Sequence, residues 1–279
     1  MTIRIVTDST CDLPEVLIAR HGITVVPLYI HFGLEGYLDR VEITREEFYT
    51  RLPDSHPLPT TAAPSPEVFS NIYEKLATEG ATDILSIHIS ETLSATINSA
   101  RLAAEQTKSV NVTVIDSRQL SSGVGFQVLA AAQAASEATS VDTVVAMLES
   151  LIPRVHVFAA LDTLEFLRRS GRVNGLVAGL GNALQIKPLL KMNNGEASSE
   201  RTRTSRRAIE RVIALLEGAA PVEQLAIVHA NAAAPAQALK ERVQHFAPGS
   251  DLWTIDITPV IGTHIGPGAV GVACVSQMT

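Results

Sequence analysis

In the first half of the chain, short apolar runs repeatedly give way to a polar turn and then to a helix signal. Ile3 to Val6 is followed by Thr7-Asp8-Ser9-Thr10-Cys11-Asp12, and Leu13-Pro14-Glu15 then opens a helix with Asp12 as its expected N-cap. Asp83 to Ile89 leads into Ser90-Glu91-Thr92-Leu93-Ser94-Ala95-Thr96. The helix after it, ending near Thr107, carries Leu93, Ile97, Ala100 and Ala104 at helical spacing. Val110 to Ile115 ends in Asp116-Ser117, ahead of an alanine-rich helical region and a second helix that stops near Ile152. Units in this order predict a parallel sheet with helices on both faces. Right-handed crossovers then place the polar turns along one edge, where such sheets take their ligands.

The remaining segments fill in an α/β chain. Ile23 to Ile30 reads as a second strand, and Thr44-Arg45-Glu46-Glu47 as a capping box. Residues 53–66 contain five prolines and read as a surface loop. That loop ends at Ser65, an N-cap with Pro66 at the first helical position, and Phe69, Ile72, Tyr73 and Leu76 form a buried face. With 279 residues, two domains are expected, and the composition changes near Pro153. The expected boundaries are 1–153 and 154–279, the second being a mixed-sheet α/β domain. In it, Arg154 to Leu161 reads as a strand, and Asp162 as the cap of a helix from Leu164 to Ser170 stopped by Gly171. Val173 to Ile186 lacks charge and reads as a packed or lipid-facing helix. Asn193-Asn194-Gly195 is a hairpin turn between Ile186–Met192 and Ala197–Thr202. A helix from Ser205 to Glu217 and strands at Leu225–His229, Leu252–Ile257 and Ala269–Val275 complete the pattern.

Charge and motif content exclude several function classes. The net charge of −7, with a pI near 5.6, disfavours a nucleic-acid or anionic-membrane surface. Two scattered cysteines, Cys11 and Cys274, support neither a disulfide framework nor a zinc site, and the dispersed histidines lack an H-E-x-x-H pattern. No G-x-x-x-x-G-K-[ST] phosphate loop and no G-x-S-x-G elbow occurs. Gly266-Pro267-Gly268-Ala269-Val270-Gly271 fits G-x-G-x-x-G, but it precedes a strand, with too little chain left for the helix that motif requires. The start lacks a signal-peptide pattern, and Pro259, Gly262, Gly266, Pro267 and Gly268 interrupt the uncharged stretch after Asp256. A soluble, cytoplasmic protein without metal or cofactor is the expectation.

What remains is a set of small polar residues in turns. Ser94 is placed in the first turn of its helix, where free N–H groups and the dipole favour an anion. Thr61 lies just upstream of a capped helix start, and His264 in a glycine-rich turn between two apolar runs. Two hydroxyls and an imidazole can saturate a carboxylate with hydrogen bonds without a lysine or arginine. The same residues leave two other readings open. One is a serine hydrolase or acyltransferase using Ser94 and His264 with an aspartate such as Asp8 or Asp116, which needs Ser94 and His264 in direct hydrogen-bond contact. The other is a phosphotransfer enzyme for a small hydroxylated metabolite, against which stand the missing phosphate loop and the few basic residues nearby.

Six motifs in order resemble the DegV family over essentially the whole chain. They are Thr7-Asp8-Ser9-Thr10-Cys11-Asp12-Leu13-Pro14, Thr61-x-x-Pro64-Ser65-Pro66, Leu93-Ser94-x-Thr96-x-x-Ser99-Ala100, Val114-Ile115-Asp116-Ser117, Leu164-Glu165-Phe166-Leu167-Arg168-Arg169-Ser170-Gly171-Arg172 and Gly262-Thr263-His264-Ile265-Gly266-Pro267-Gly268. The resemblance implies the family's two-domain fold and binding of a long-chain fatty acid such as palmitate. It also implies service as the carrier subunit of a bacterial fatty acid kinase, in which a separate ATP-binding subunit phosphorylates the presented carboxylate. On it, Thr61, Ser94 and His264 hold the carboxylate, supported by Ser9, Thr96, Gly266 and Gly268. Asp39, Arg172, and Arg201 or Arg203 resemble positions linked to kinase engagement. Ala62 and Ala95 depart from the usual serine and glycine without removing a proposed ligand. The tail is expected in a slot between the domains, lined partly by Val173–Ile186, with transient contact to a membrane surface.

Overall fold

A four-stranded, wholly parallel sheet is built from β1 (Ile3–Asp8), β2 (Thr24–Val26), β6 (Asp83–His88) and β7 (Asn111–Asp116), in the order β2-β1-β6-β7. The computed structural model describes residues 2–137, 140–171, 186–246 and 252–278. On one face of this sheet, Val6, Val26 and Ile84 pack against Phe69, Tyr73 and Leu76 of α3 (Pro66–Thr78) and Ala100 and Ala103 of α4 (Thr96–Gln106). On the other face Ile5, Leu85 and Ile87 meet α5 (Ser122–Ser136), so the alternation of the strands divides their apolar residues between two helical layers.

The second sheet is mixed and six-stranded. It comprises β8 (Val155–Ala160), β9 (Lys187–Asn193), β10 (Glu196–Thr202), β11 (Val222–His229), β12 (Trp253–Asp256) and β13 (Val270–Ser276), in the order β10-β9-β8-β13-β11-β12. The β11–β12 pair is parallel and the other pairs are antiparallel. Phe158, Leu189, Ile227 and Val272 face α8 (Ser205–Ala219) and α9 (Ala233–Val243). Val157, Ala226, Val228 and Ala273 face back toward α5, which is therefore buried on both sides between the sheets. Its glycines permit this: a Cβ on Gly125 would lie 2.5 Å from the Cys11 carbonyl oxygen.

Several elements differ from the sequence reading. The expected strand Ile23–Ile30 breaks at Pro27, and its second half becomes β3 (Tyr29–Phe32) of a separate three-stranded antiparallel sheet in the order β4-β3-β5. Its neighbours are β4 (Glu35–Leu38), for which the sequence offered no strand, and β5 (Thr60–Ala62), inside the proline-rich stretch read as loop. Asp12 does not cap α1 (Glu15–Arg20). It ends a 3-10 turn at Ser9–Cys11 in the left-handed region (φ 44°), and Pro14 is the helix cap. Asp162 does not cap α7 (Glu165–Ser170) either; it pairs with Lys187, while Gly171 (φ 66°) stops the helix as expected. Thr44 caps α2 (Arg45–Arg51) by accepting the Glu47 N–H at 3.1 Å, and α6 is Val141–Leu151. The hairpin turns through Asn194 and Gly195, both at positive φ. Helix α9 was not anticipated. The uncharged run Val173–Ile186 falls outside the described residues except for Ile186, and no described helix is long and apolar enough to cross a membrane.

Candidate functional site

The polar turns do converge, but not all as turns. Thr61 sits in the short strand β5, its register fixed opposite Ile30 on β3. His264 is in the last turn of a short helix, α10 (Pro259–Ile265), rather than in a glycine-rich loop; the glycines follow it. Gly266 ends that helix at φ 74°, and a Cβ there would come within 2.2 Å of the Phe166 ring on α7. Gly268, at φ 85°, donates its N–H to the Ala230 carbonyl at 2.7 Å. Ser94 lies just before the N-cap of α4, not within its first turn. Its hydroxyl oxygen accepts the Thr96 N–H at 3.2 Å and meets the Thr96 hydroxyl at 2.8 Å.

These three residues share one cavity of about 450 Å³, the size range of a small-molecule site. Thr61 Oγ1 lies 2.8 Å from His264 Nε2. Around them the wall is largely aliphatic: Leu28, Ile89, Leu93 and Leu120 contribute from the segments after β2, β6 and β7, Val157, Leu161, Leu190 and Met192 from β8, its end and β9, and Val260 and Ile261 from α10. The other polar wall residues have partners of their own. Lys191 bonds Glu200 at 3.0 Å, Glu91 pairs with Arg101 at 2.7 Å, and the Thr92 hydroxyl donates to the Gly195 carbonyl at 3.1 Å. A second cavity of about 240 Å³ adjoins the first and shares Thr61 and His264 with it; Thr60, Phe166, Arg169 and Ser170 also line it.

The supporting residues act at one remove. Ser9 is buried, and its hydroxyl oxygen accepts the N–H of the wall residue Leu28 at 3.2 Å. Asp8, read as a possible triad member, is committed elsewhere: its Oδ2 is 3.0 Å from His88 Nδ1, and His88 Nε2 is 2.7 Å from the Ser86 hydroxyl. The Ser86 hydroxyl in turn meets the Tyr73 hydroxyl at 2.8 Å; Asp8 ends β1, Ser86 and His88 lie on β6 and Tyr73 on α3, all in the dry core. Burial pushes the Asp8 carboxyl up, but bonding and attraction to His88 and the donors Thr10 and Ile89 outweigh it, and the net shift is downward. Asp116 accepts the Arg118 N–H at 2.8 Å. The Ser–His contact of a hydrolase is replaced by Ser94 with Thr96 and His264 with Thr61.

Of the residues read as kinase contacts, Asp39 is fully buried and so lies behind the surface. Its Oδ2 accepts the Thr258 hydroxyl, and Asp12 Oδ1 accepts the Thr258 N–H at 2.9 Å. Arg201, on β10, and Arg203 are exposed and line neither cavity, and Arg172 falls outside the described residues. Thr258 itself was missed from the sequence. Its only signal is the Thr-Pro pair, an N-cap with proline at the first helical position.

Comparison with known proteins places this architecture. Residues 2–277 match the family model described as "Uncharacterised protein, DegV family". A DegV domain-containing protein of Streptomyces coelicolor is 38% identical over 280 residues, covering 99% of each chain. The structure of a DegV family protein from Thermus thermophilus, described by its fatty acid binding, superposes with a TM-score of 0.91 at 36% identity, covering 99% of this chain and 100% of that one. DegV of Bacillus subtilis, described as a fatty acid binding protein, gives a TM-score of 0.91 at 30% identity with the same coverage. The chain belongs to the DegV family.

Proposed function

We propose that this DegV-family chain binds a long-chain fatty acid with its tail in the 450 Å³ cavity and its carboxylate on Thr61, Ser94 and His264. It then presents that carboxylate to a separate ATP-dependent kinase subunit, which forms the acyl phosphate. The observation that carries the reading is an aliphatic cavity whose wall holds two hydroxyls and an imidazole with no cation of its own left unpaired among the described lining residues. Each buried CH₂ contributes roughly 0.8 kcal/mol, so a sixteen-carbon tail gains on the order of 10 kcal/mol and supplies the affinity. The polar trio fixes which end is offered. Neutral donors hold a carboxylate while leaving more electron density on its oxygens than a guanidinium fork would, which suits an oxygen that must attack phosphorus.

Presentation is supported by the second cavity. It reaches Thr61 and His264 from another side and is lined by the exposed Thr60 and by Arg169, so a group bound there would sit beside the carboxylate without entering the tail slot. Native mass spectrometry after gentle purification is expected to show fatty acid retained by the wild type and lost from a Thr61→Val, Ser94→Ala, His264→Ala variant. Apo wild type alone would remove the reading. With the lipid established, hydroxamate trapping in the presence of ATP and kinase subunit tests presentation separately.

A further inference from the structure

The helix that carries His264 is attached to the rest of the protein at its N-terminus by two carboxylates. Asp12 lies in the turn after β1, and Asp39 follows β4; both are fully buried. Thr258 joins them: its N–H donates to Asp12 Oδ1 at 2.9 Å, its hydroxyl donates to Asp39 Oδ2, and its hydroxyl oxygen accepts the Val260 N–H at 3.3 Å as the cap of α10. Asp12 is itself fixed by the Ser121 hydroxyl at 2.7 Å from the start of α5 and by Arg45 at 3.4 Å from α2. The far end of α10 is seated by Thr61 on β5, and its middle rests on α2, where a Cβ at Gly262 would meet the Tyr49 hydroxyl at 2.4 Å. Every one of these supports comes from the N-terminal part of the chain, although α10 lies between β12 and β13 of the mixed sheet.

The cluster is also under-satisfied. Arg40 Nη1, Arg45 Nε and the Tyr49 hydroxyl are buried without a hydrogen-bond partner among the described residues. Buried carboxylates beside unmade hydrogen bonds are poor stabilisers, and a buried polar group that does not stabilise is best accounted for by the geometry it specifies.

We propose that Asp12 and Asp39 are positioning residues: through Thr258 they set the placement of α10 and thereby the reach of His264 toward Thr61 and a bound carboxylate. This rests on the fatty-acid reading above. A displacement of α10 moves His264 and the α10 wall residues Val260 and Ile261 while leaving the tail contacts of β8 and β9 in place, so the carboxylate loses more than the tail does.

The test compares palmitate with hexadecanol, which has the same chain and no carboxylate, on Thr258→Val, Asp39→Leu and Thr258→Ser. Loss of the Thr258–Asp39 hydrogen bond is expected to weaken palmitate about tenfold in the Val and Leu variants. Hexadecanol weakens less than palmitate, and Thr258→Ser, which keeps the hydroxyl, restores palmitate binding. The His264 imidazole resonances shift in the same two variants and return in Thr258→Ser. Equal weakening of both ligands, or an unchanged palmitate-to-hexadecanol ratio with unmoved His264 signals, overturns the proposal. Should Thr258→Val fail to fold, Asp39→Leu, which removes the acceptor at similar size, decides the matter alone with its His264 spectrum. A wild type with no preference for palmitate over hexadecanol would instead remove the underlying reading.

Discussion

At the scale of single residues, the same types of side chain take opposite roles according to what surrounds them. Thr61, Ser94 and His264 face a cavity, whereas Asp8, Ser86 and His88, an equally suggestive set, are sealed in the core beside Tyr73. Burial separates the two sets. Asp12 shows the cost of such burial. Desolvation raises its carboxyl to about 6 from 3.8, against lowering by Arg45, Ser121 and Thr258, so the native state binds this proton more tightly than the unfolded chain does. Its contribution to stability is therefore full below about pH 4 and falls as pH rises toward 6. Asp12→Asn lacks that titration, while Asp8, whose shift has the other sign, is common to both proteins. Relative to wild type, the variant is expected to gain about 2–3 kcal/mol between pH 4 and pH 7. Urea unfolding of both proteins across that range measures it; a constant difference would contradict the assignment.

Among the elements, those whose signal is local were legible. The β1, β6 and β7 units, α2 with its Thr44 cap, α3 with Pro66 at its first position (though the Ser65 side chain makes no cap bond) and the Asn194–Gly195 hairpin all appear where periodicity and turn chemistry put them. The three-stranded sheet was not legible, because β3 finds β5 some distance along the chain and a proline-rich segment carries no strand pattern of its own. Nor was α10, since a seven-residue helix with Gly262 inside it and Gly266 at its end has too few turns to show a period. Helix α5 read as alanine-rich, yet its small residues serve close approach to the 3-10 turn at Ser9–Cys11. Gly125→Ala is therefore expected to destabilise by about 1–3 kcal/mol through overpacking against Cys11 and Leu13. Gly218→Ala, in α8 with nothing within 4 Å, should stabilise by about 0.5–1 kcal/mol. Thermal unfolding of the two variants distinguishes them by sign, and matching shifts would remove the packing argument for α5.

For the molecule as a whole, the two sheets meet across α5 and leave one aliphatic slot beside it. A ligand that binds this slot in the folded state alone stabilises it by mass action, about 2.7 kcal/mol at a free concentration one hundred times Kd. For a chain of this size that corresponds to roughly 5–10 °C in Tm. Delipidated protein should melt lower by about that much and recover on adding palmitate; an unchanged melting curve would mean that the slot holds no lipid. The sequence by itself determined the α/β class and the order of most elements, because strand and helix periods and cap residues are local properties; the candidate polar trio was named from the resemblance to the DegV family. Only the tertiary structure decided that His264 rides on a helix, that Thr61 belongs to a sheet, and that Asp12 and Asp39 are interior anchors of that helix. Those facts depend on contacts between residues far apart in the chain, and no local pattern encodes which distant group a buried carboxylate will meet.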